Sequence, residues 1–123
     1  MLNTEPDKKR KEMRRVERKY IVFYLRVFDG MSRKVLGHLV DISEQGIMMI
    51  SDNPIEVNET SRLRMSLPAQ LKDANEVLFT ATSRWCKQDE NPDFYLSGFF
   101  LHDLDAETES VIRRLINEFG YVD

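Results

Sequence analysis

Residues 33–50 read Arg33-Lys34-Val35-Leu36-Gly37-His38-Leu39-Val40-Asp41-Ile42-Ser43-Glu44-Gln45-Gly46-Ile47-Met48-Met49-Ile50. Two short runs rich in β-branched and apolar residues flank the polar tetrad Ser43-Glu44-Gln45-Gly46. Each run has strand length, and the tetrad holds residues that bend a chain, so the stretch predicts strand, tight turn, strand.

The same grammar continues on both sides. Upstream, Lys19 to Asp29 is dense in aromatic and β-branched residues, with Ile21, Phe23, Leu25 and Val27 alternating onto one face. Asp29-Gly30 is a turn signal that delivers the chain into the strand beginning near Arg33. Downstream, Asn53-Pro54 marks a loop. Thr60 to Leu67 then alternates, with Leu63, Met65 and Leu67 on one side and Arg62, Arg64 and Ser66 on the other, until Pro68 stops it. Val77–Lys87 and Phe94–His102 form two further strands joined through Asp89-Glu90-Asn91-Pro92-Asp93.

The chain finishes differently. Asp103 or Asp105 is placed to cap a helix, and Glu107 and Glu109 suit its positive N-terminal end. Val111, Ile112, Leu115, Ile116 and Phe119 recur at helical spacing, and Gly120 stands where a C-terminal cap belongs.

Six short strands and a helix predict a mainly β fold, a six-stranded antiparallel barrel. Closure removes the exposed edges that a small open sheet would have to protect. The expected organisation is one domain: a flexible basic N-terminal arm over residues 1–18, the barrel over 19–102, and over 103–123 a C-terminal helix packed on the barrel.

The 123 residues suit one modest core, and 41% hydrophobic with 32% charged residues is ordinary for a globular protein. Net charge is −3, from 18 basic and 21 acidic residues. That argues against a dedicated DNA or RNA binder. The charge is unevenly spread: Lys8, Lys9, Arg10, Lys11, Arg14, Arg15, Arg18 and Lys19 crowd into one segment ahead of an acidic body. Such a block suits a specific anionic partner or a solvated tail. The single cysteine, Cys86, rules out an internal disulfide and fits a reducing compartment. No secretory signal is visible, and the apolar run Tyr20–Leu25 is far too short to cross a bilayer. A cytoplasmic protein without membrane insertion is expected.

Two features carry chemistry. Arg14-Arg15-Val16-Glu17-Arg18 lies where the arm meets the first strand, and Asp41-Ile42-Ser43-Glu44-Gln45-Gly46 is the turn between the second and third. Taken singly, the first reads as a charged tail. The second reads as a turn in which Asp and Ser bond nearby backbone and Gly takes a positive φ.

Together, in this order, they resemble the signature of the PilZ domain family: RxxxR followed, about one hairpin later, by (D/N)xSxxG. Both motifs are complete. Ser83-Arg84-Trp85 and Tyr95-Leu96-Ser97-Gly98-Phe99-Phe100 are similar to the family's later landmarks, so the resemblance runs from Arg14 to the terminal helix. It implies a PilZ-type six-stranded barrel in a bacterial signalling protein that binds cyclic di-GMP, a second messenger with two phosphates and two guanines.

The chemistry agrees. An arginine fork matches the paired O6 and N7 acceptors of guanine, and it also stacks on bases and pairs with phosphate. The resemblance assigns these contacts to Arg14 and Arg18, with Arg15 beside them. Asp41 is assigned to accept from a guanine N–H, Ser43 to meet base or phosphate, and Gly46 to let the backbone approach. Arg10, Met13, Trp85 and Gly98 are additional candidates. Met13 carries no charge to reach a second phosphate, which favours a single ligand, whereas Arg10 argues the other way. Ordering a flexible arm consumes contact energy, so affinity on the order of micromolar or somewhat tighter is expected.

Other residues point nowhere. His38, His102 and Cys86 have no metal-ligand spacing, so no metal is expected. Trp85 alone reads as core, Met48 and Met49 as strand packing. No phosphate loop, nucleophile elbow or carboxylate pair supports an enzyme, so neither catalytic residues nor a cofactor is expected. The implied role is a receptor or adaptor whose arm rearranges for an unidentified downstream protein. The alternatives are an interaction module of the same fold without nucleotide binding, or nucleic-acid binding through the arm.

Overall fold

The computed structural model describes residues 19–21, 25–71 and 74–122. They contain β1 (Lys19–Ile21), β2 (Arg26–Asp29), β3 (Val35–Ile42), β4 (Gly46–Ser51), β5 (Thr60–Ser66), β6 (Glu76–Gln88), β7 (Tyr95–His102), α1 (Ala106–Phe119) and β8 (Gly120–Val122). The order across the sheet is β2-β5-β6-β7-β4-β3-β1-β8, and β2 also pairs with β3. β2 through β7 therefore close into a six-stranded ring with every pair antiparallel. Three register shifts, at Val27/Phe28, Leu39/Asp41 and Ser83/Trp85, supply the extra bend that closing so small a ring requires.

The alternation read from the sequence becomes the interior. Leu63 and Met65 of β5, Met49 of β4, Leu39 of β3 and Val27 of β2 have no exposed surface. Phe79, Ala81, Phe99 and Leu101 complete the wall. Each large apolar side chain so buried contributes roughly 1.5–3 kcal/mol. The helix joins the same cluster through Ile112, Leu115 and Ile116, so its apolar stripe packs on the barrel. Asp105 is the residue that caps it: its carboxylate accepts from the Thr108 N–H at 2.8 Å. Asp103 instead takes a left-handed backbone, φ 39°. No helix among the described residues is long and apolar enough to cross a membrane.

Two expectations change. Of the expected first strand, Lys19 to Asp29, the described residues form two pieces, β1 on the far end of β3 and β2 between β3 and β5, and residues 22–24 lie outside the described residues. Gly120 does not simply end the helix. It opens β8, which pairs with β1 in the register Lys19↔Val122, Tyr20↔Tyr121 and Ile21↔Gly120. A Gly cap signals that a helix stops, but it does not show that a free strand edge awaits the next three residues.

Candidate functional site

The turn between β3 and β4 is built by Ser43. Its Oγ accepts from the backbone N–H groups of Gln45 at 3.3 Å and Gly46 at 3.2 Å, and its own N–H donates to the Gly46 carbonyl at 2.9 Å. With both acceptor positions engaged, the hydroxyl keeps only its proton to offer outward. The turn is tied down twice more. The Gln45 carbonyl accepts from the Leu101 N–H at 2.9 Å. Glu44 meets Arg113 of α1 at 3.4 Å, across an exposed pair of small energetic weight.

Gly46 has its special reason, though not the one the turn suggested. Gly30, φ 57°, is the only described glycine with a positive φ. At Gly46 the backbone runs against β7 so closely that a Cβ would lie 2.5 Å from the Phe99 carbonyl oxygen. Gly46 is thus required by the approach of two strands and not by a left-handed conformation.

Facing this turn is the middle of β6 and β7. Ser83 points into the barrel and is 1% exposed, and strict alternation would send Trp85 inward as well. The register shift prevents this: Ser83 pairs with Phe99 and Trp85 with Gly98, leaving Arg84 as the extra residue. Arg84 and Trp85 both come to the outside, on the same cleft. The Trp85 indole lies on Gly98, where a Cβ would come within 2.2 Å of its Nε1. Lys87 Nζ sits 5.6 Å from the indole ring, and the Arg84 guanidinium sits 5.3 Å from the Phe100 ring centroid.

These two walls bound a cleft of about 280 Å³. Asp41, Ser43, Gln45 and Gly46 come from the turn, Met48 from β4, Arg84 and Trp85 from β6, and Gly98 and Phe100 from β7. Five of the residues singled out in the sequence, Asp41, Ser43, Gly46, Trp85 and Gly98, are thereby brought together from four strands and a turn. Asp41 is 6% exposed, a nearly buried carboxylate at the mouth of the turn. Arg10, Met13, Arg14, Arg15 and Arg18 lie outside the described residues. The described chain begins at Lys19, whose backbone partner is Ile42, the residue before Ser43.

Sequence reasoning missed Gln45, Met48, Arg84 and Phe100 as cleft residues. Met48 had been read as packing, but it is Met49 that fills the core while Met48 faces the cleft. A larger cavity of about 350 Å³ between Val35–His38, Ile50–Asn53 and Phe94 holds neither motif. Among the described residues no three His, Cys, Asp or Glu side chains gather as metal ligands.

The described residues thus form a closed antiparallel barrel with a cleft that mixes flat aromatic, guanidinium, carboxylate and hydroxyl groups. The chain belongs to the PilZ domain family, which its sequence matches over residues 8–118. No curated protein matches the sequence. Among solved structures it is similar to the PilZ domain of YcgR from Escherichia coli, whose structure is described as containing c-di-GMP. The TM-score is 0.66 at 14% identity, covering 87% of this chain and 91% of that one. It is also similar to the Bacillus subtilis inhibitor of motility MotI/DgrA, with a TM-score of 0.61 and 17% identity. That match covers 85% of this chain and 52% of the other, so the chain spans about half of that protein's length. At these identities the likeness is one of fold. PilZ domains are binding and adaptor modules, not enzymes.

Proposed function

We propose that this protein is a cyclic di-GMP receptor whose ligand sits in the cleft between the Asp41–Gly46 turn and the Trp85–Gly98 wall. The observation that carries the reading is the convergence of Asp41, Ser43 and Gly46 with Trp85 and Gly98 in one cleft beside Lys19, where the basic segment joins the barrel. Family membership supports it, as does the YcgR structure described with this ligand.

The roles follow from the groups present. Trp85 offers a fixed ring on which a guanine stacks, a contact of roughly 1–3 kcal/mol. Asp41 accepts from the N–H groups on the guanine's Watson–Crick edge. Ser43, its lone pairs occupied, donates to a phosphate oxygen or a base carbonyl. Arg14 and Arg18, with Arg15, supply guanidinium forks from the arm, which is tethered at Lys19 near the cleft. Residues 1–18 act as the arm, 19–102 as the barrel and 103–123 as the packed helix. The ligand joins the two half-sites, and the new position of the arm is what a downstream protein reads in the cytoplasm.

Isothermal titration of cyclic di-GMP into wild type, Arg14→Ala, Arg18→Ala and Asp41→Ala tests this. Saturable heat with a dissociation constant on the order of micromolar or tighter is expected for wild type. Each variant should weaken it at least tenfold, about 1.4 kcal/mol. Absence of heat from folded wild type at tens of micromolar protein, on the order of ten times the expected constant, overturns the reading. Binding that survives all three substitutions overturns the site.

A further inference from the structure

We propose, resting on that reading, that Arg84 is a third guanidinium of the site. It reads a guanine edge from the barrel wall, independently of the arm. The register shift between Ser83 and Trp85 makes Arg84 the unpaired extra residue of β6 and turns two consecutive side chains toward one cleft. A base stacked on Trp85 therefore has Arg84 at its rim.

The side chain is already organised for this. Its guanidinium carbon lies over the Phe100 ring, 5.3 Å from the centroid, and Phe100 is itself 40% exposed, an unusual placement for a phenylalanine beside a cleft. Phe100 is steadied in turn by an edge contact to His102, ring centroids 5.0 Å apart, and His102 bonds the Thr82 hydroxyl. Among the described residues the N–H donors of Arg84 meet no acceptor, in contrast to Arg64 and Arg113, which are committed to carboxylates. A planar fork held over an aromatic ring with free donors is suited to bidentate recognition of O6 and N7, and a point charge is not. Because Arg84 stands on a paired strand, its contact needs no ordering of the chain.

The test is titration of cyclic di-GMP into wild type, Arg84→Ala, Arg84→Lys and Arg84→Gln, each first shown to be folded by thermal denaturation. Arg84→Ala should bind about tenfold or more weakly, Arg84→Lys should fail to restore wild-type affinity, and Arg84→Gln should fall between wild type and Ala. In an Arg14→Ala background the Arg84→Ala loss should be the same fold-change. Wild-type affinity in Arg84→Ala overturns the proposal, and so does full restoration by lysine, which would mark a phosphate contact. Those failures occur with wild type still binding. No binding by wild type is the separate failure of the receptor reading, and this proposal falls with it.

Discussion

The Trp85 ring rests on Gly98 so closely that no side chain fits between them: a Cβ at Gly98 would lie 2.2 Å from Nε1 and 2.5 Å from Cε2. The two residues are cross-strand partners, and the glycine leaves a bare patch of β7 that the indole covers. A 38% exposed tryptophan is thereby held in one orientation without being buried.

Gly98→Ala should displace that ring and leave the barrel folded. Trp85 is the only tryptophan in the chain, so its fluorescence reports the change directly. Emission should shift to the red and acrylamide quenching should rise, while stability falls by about 1–3 kcal/mol. An unchanged spectrum would show that the ring is not resting on Gly98.

Gly46→Ala should be the costlier glycine replacement. Its Cβ would meet a backbone carbonyl, Phe99 O, at 2.5 Å, and that oxygen cannot rotate away as an indole can. β4 must lift from β7, so urea denaturation should show a loss of about 2 kcal/mol or more. A smaller loss than that of Gly98→Ala would contradict the close strand approach.

Leu115→Ala probes whether the helix belongs to the barrel core. Leu115 is fully buried with Ile112 and Ile116 in the same cluster as the strands. A loss of about 2–5 kcal/mol in a single cooperative transition is expected. A near-neutral result, or a separate helix transition, would place α1 outside the folding unit.

Asp105 gives the helix an acid-sensitive end. The Thr108 backbone N–H, aided by the Thr108 side chain and the more distant Arg62 charge, holds the carboxyl below its ordinary 3.8, with slight burial opposing. A depressed folded-state pKa favours the charged form in the native protein. The stabilisation is therefore present above about pH 4 and is lost as pH falls through the lowered value. Asp105→Asn, which still caps, should flatten that acid-side decline in thermal midpoint, whereas Asp105→Ala should lower the midpoint at neutral pH as well. Parallel pH profiles for Asp105→Asn and wild type would contradict this account.

Periodicity made most of the barrel legible. Leu63 and Met65 announced an inward face, and Ile112, Leu115 and Ile116 announced the helix stripe. The turn chemistry of Asp41, Ser43 and Gly46 was equally visible, because it lies within six consecutive residues. Arg84 and Phe100 were not visible as cleft residues. The shift between Ser83 and Trp85 is set by where β7 pairs, and pairing is a property of two strands that neither encodes alone. The change of neighbours, β8 beside β1 but β5 beside β2, escaped for a similar reason: the apolar alternation of the sequence runs unbroken from Ile21 to Val27. At Gly46 the sequence could not separate two causes, since close approach and positive φ both select glycine, and the structure shows the approach to Phe99.

The pairing of β1 with β8 also decides how the protein meets a mechanical load. Lys19 lies opposite Val122, so tension applied across these two positions pulls on the same end of an antiparallel pair. The backbone bonds then open one after another, as in a zipper, and do not share the load as they would in shear. Next in line is the short pairing of Lys19 and Tyr20 with β3, while the closed ring behind it is barely strained. Under traction the β1–β8 pairing therefore yields first, and the pairing of Lys19 with Ile42, next to the Ser43 turn, only after it.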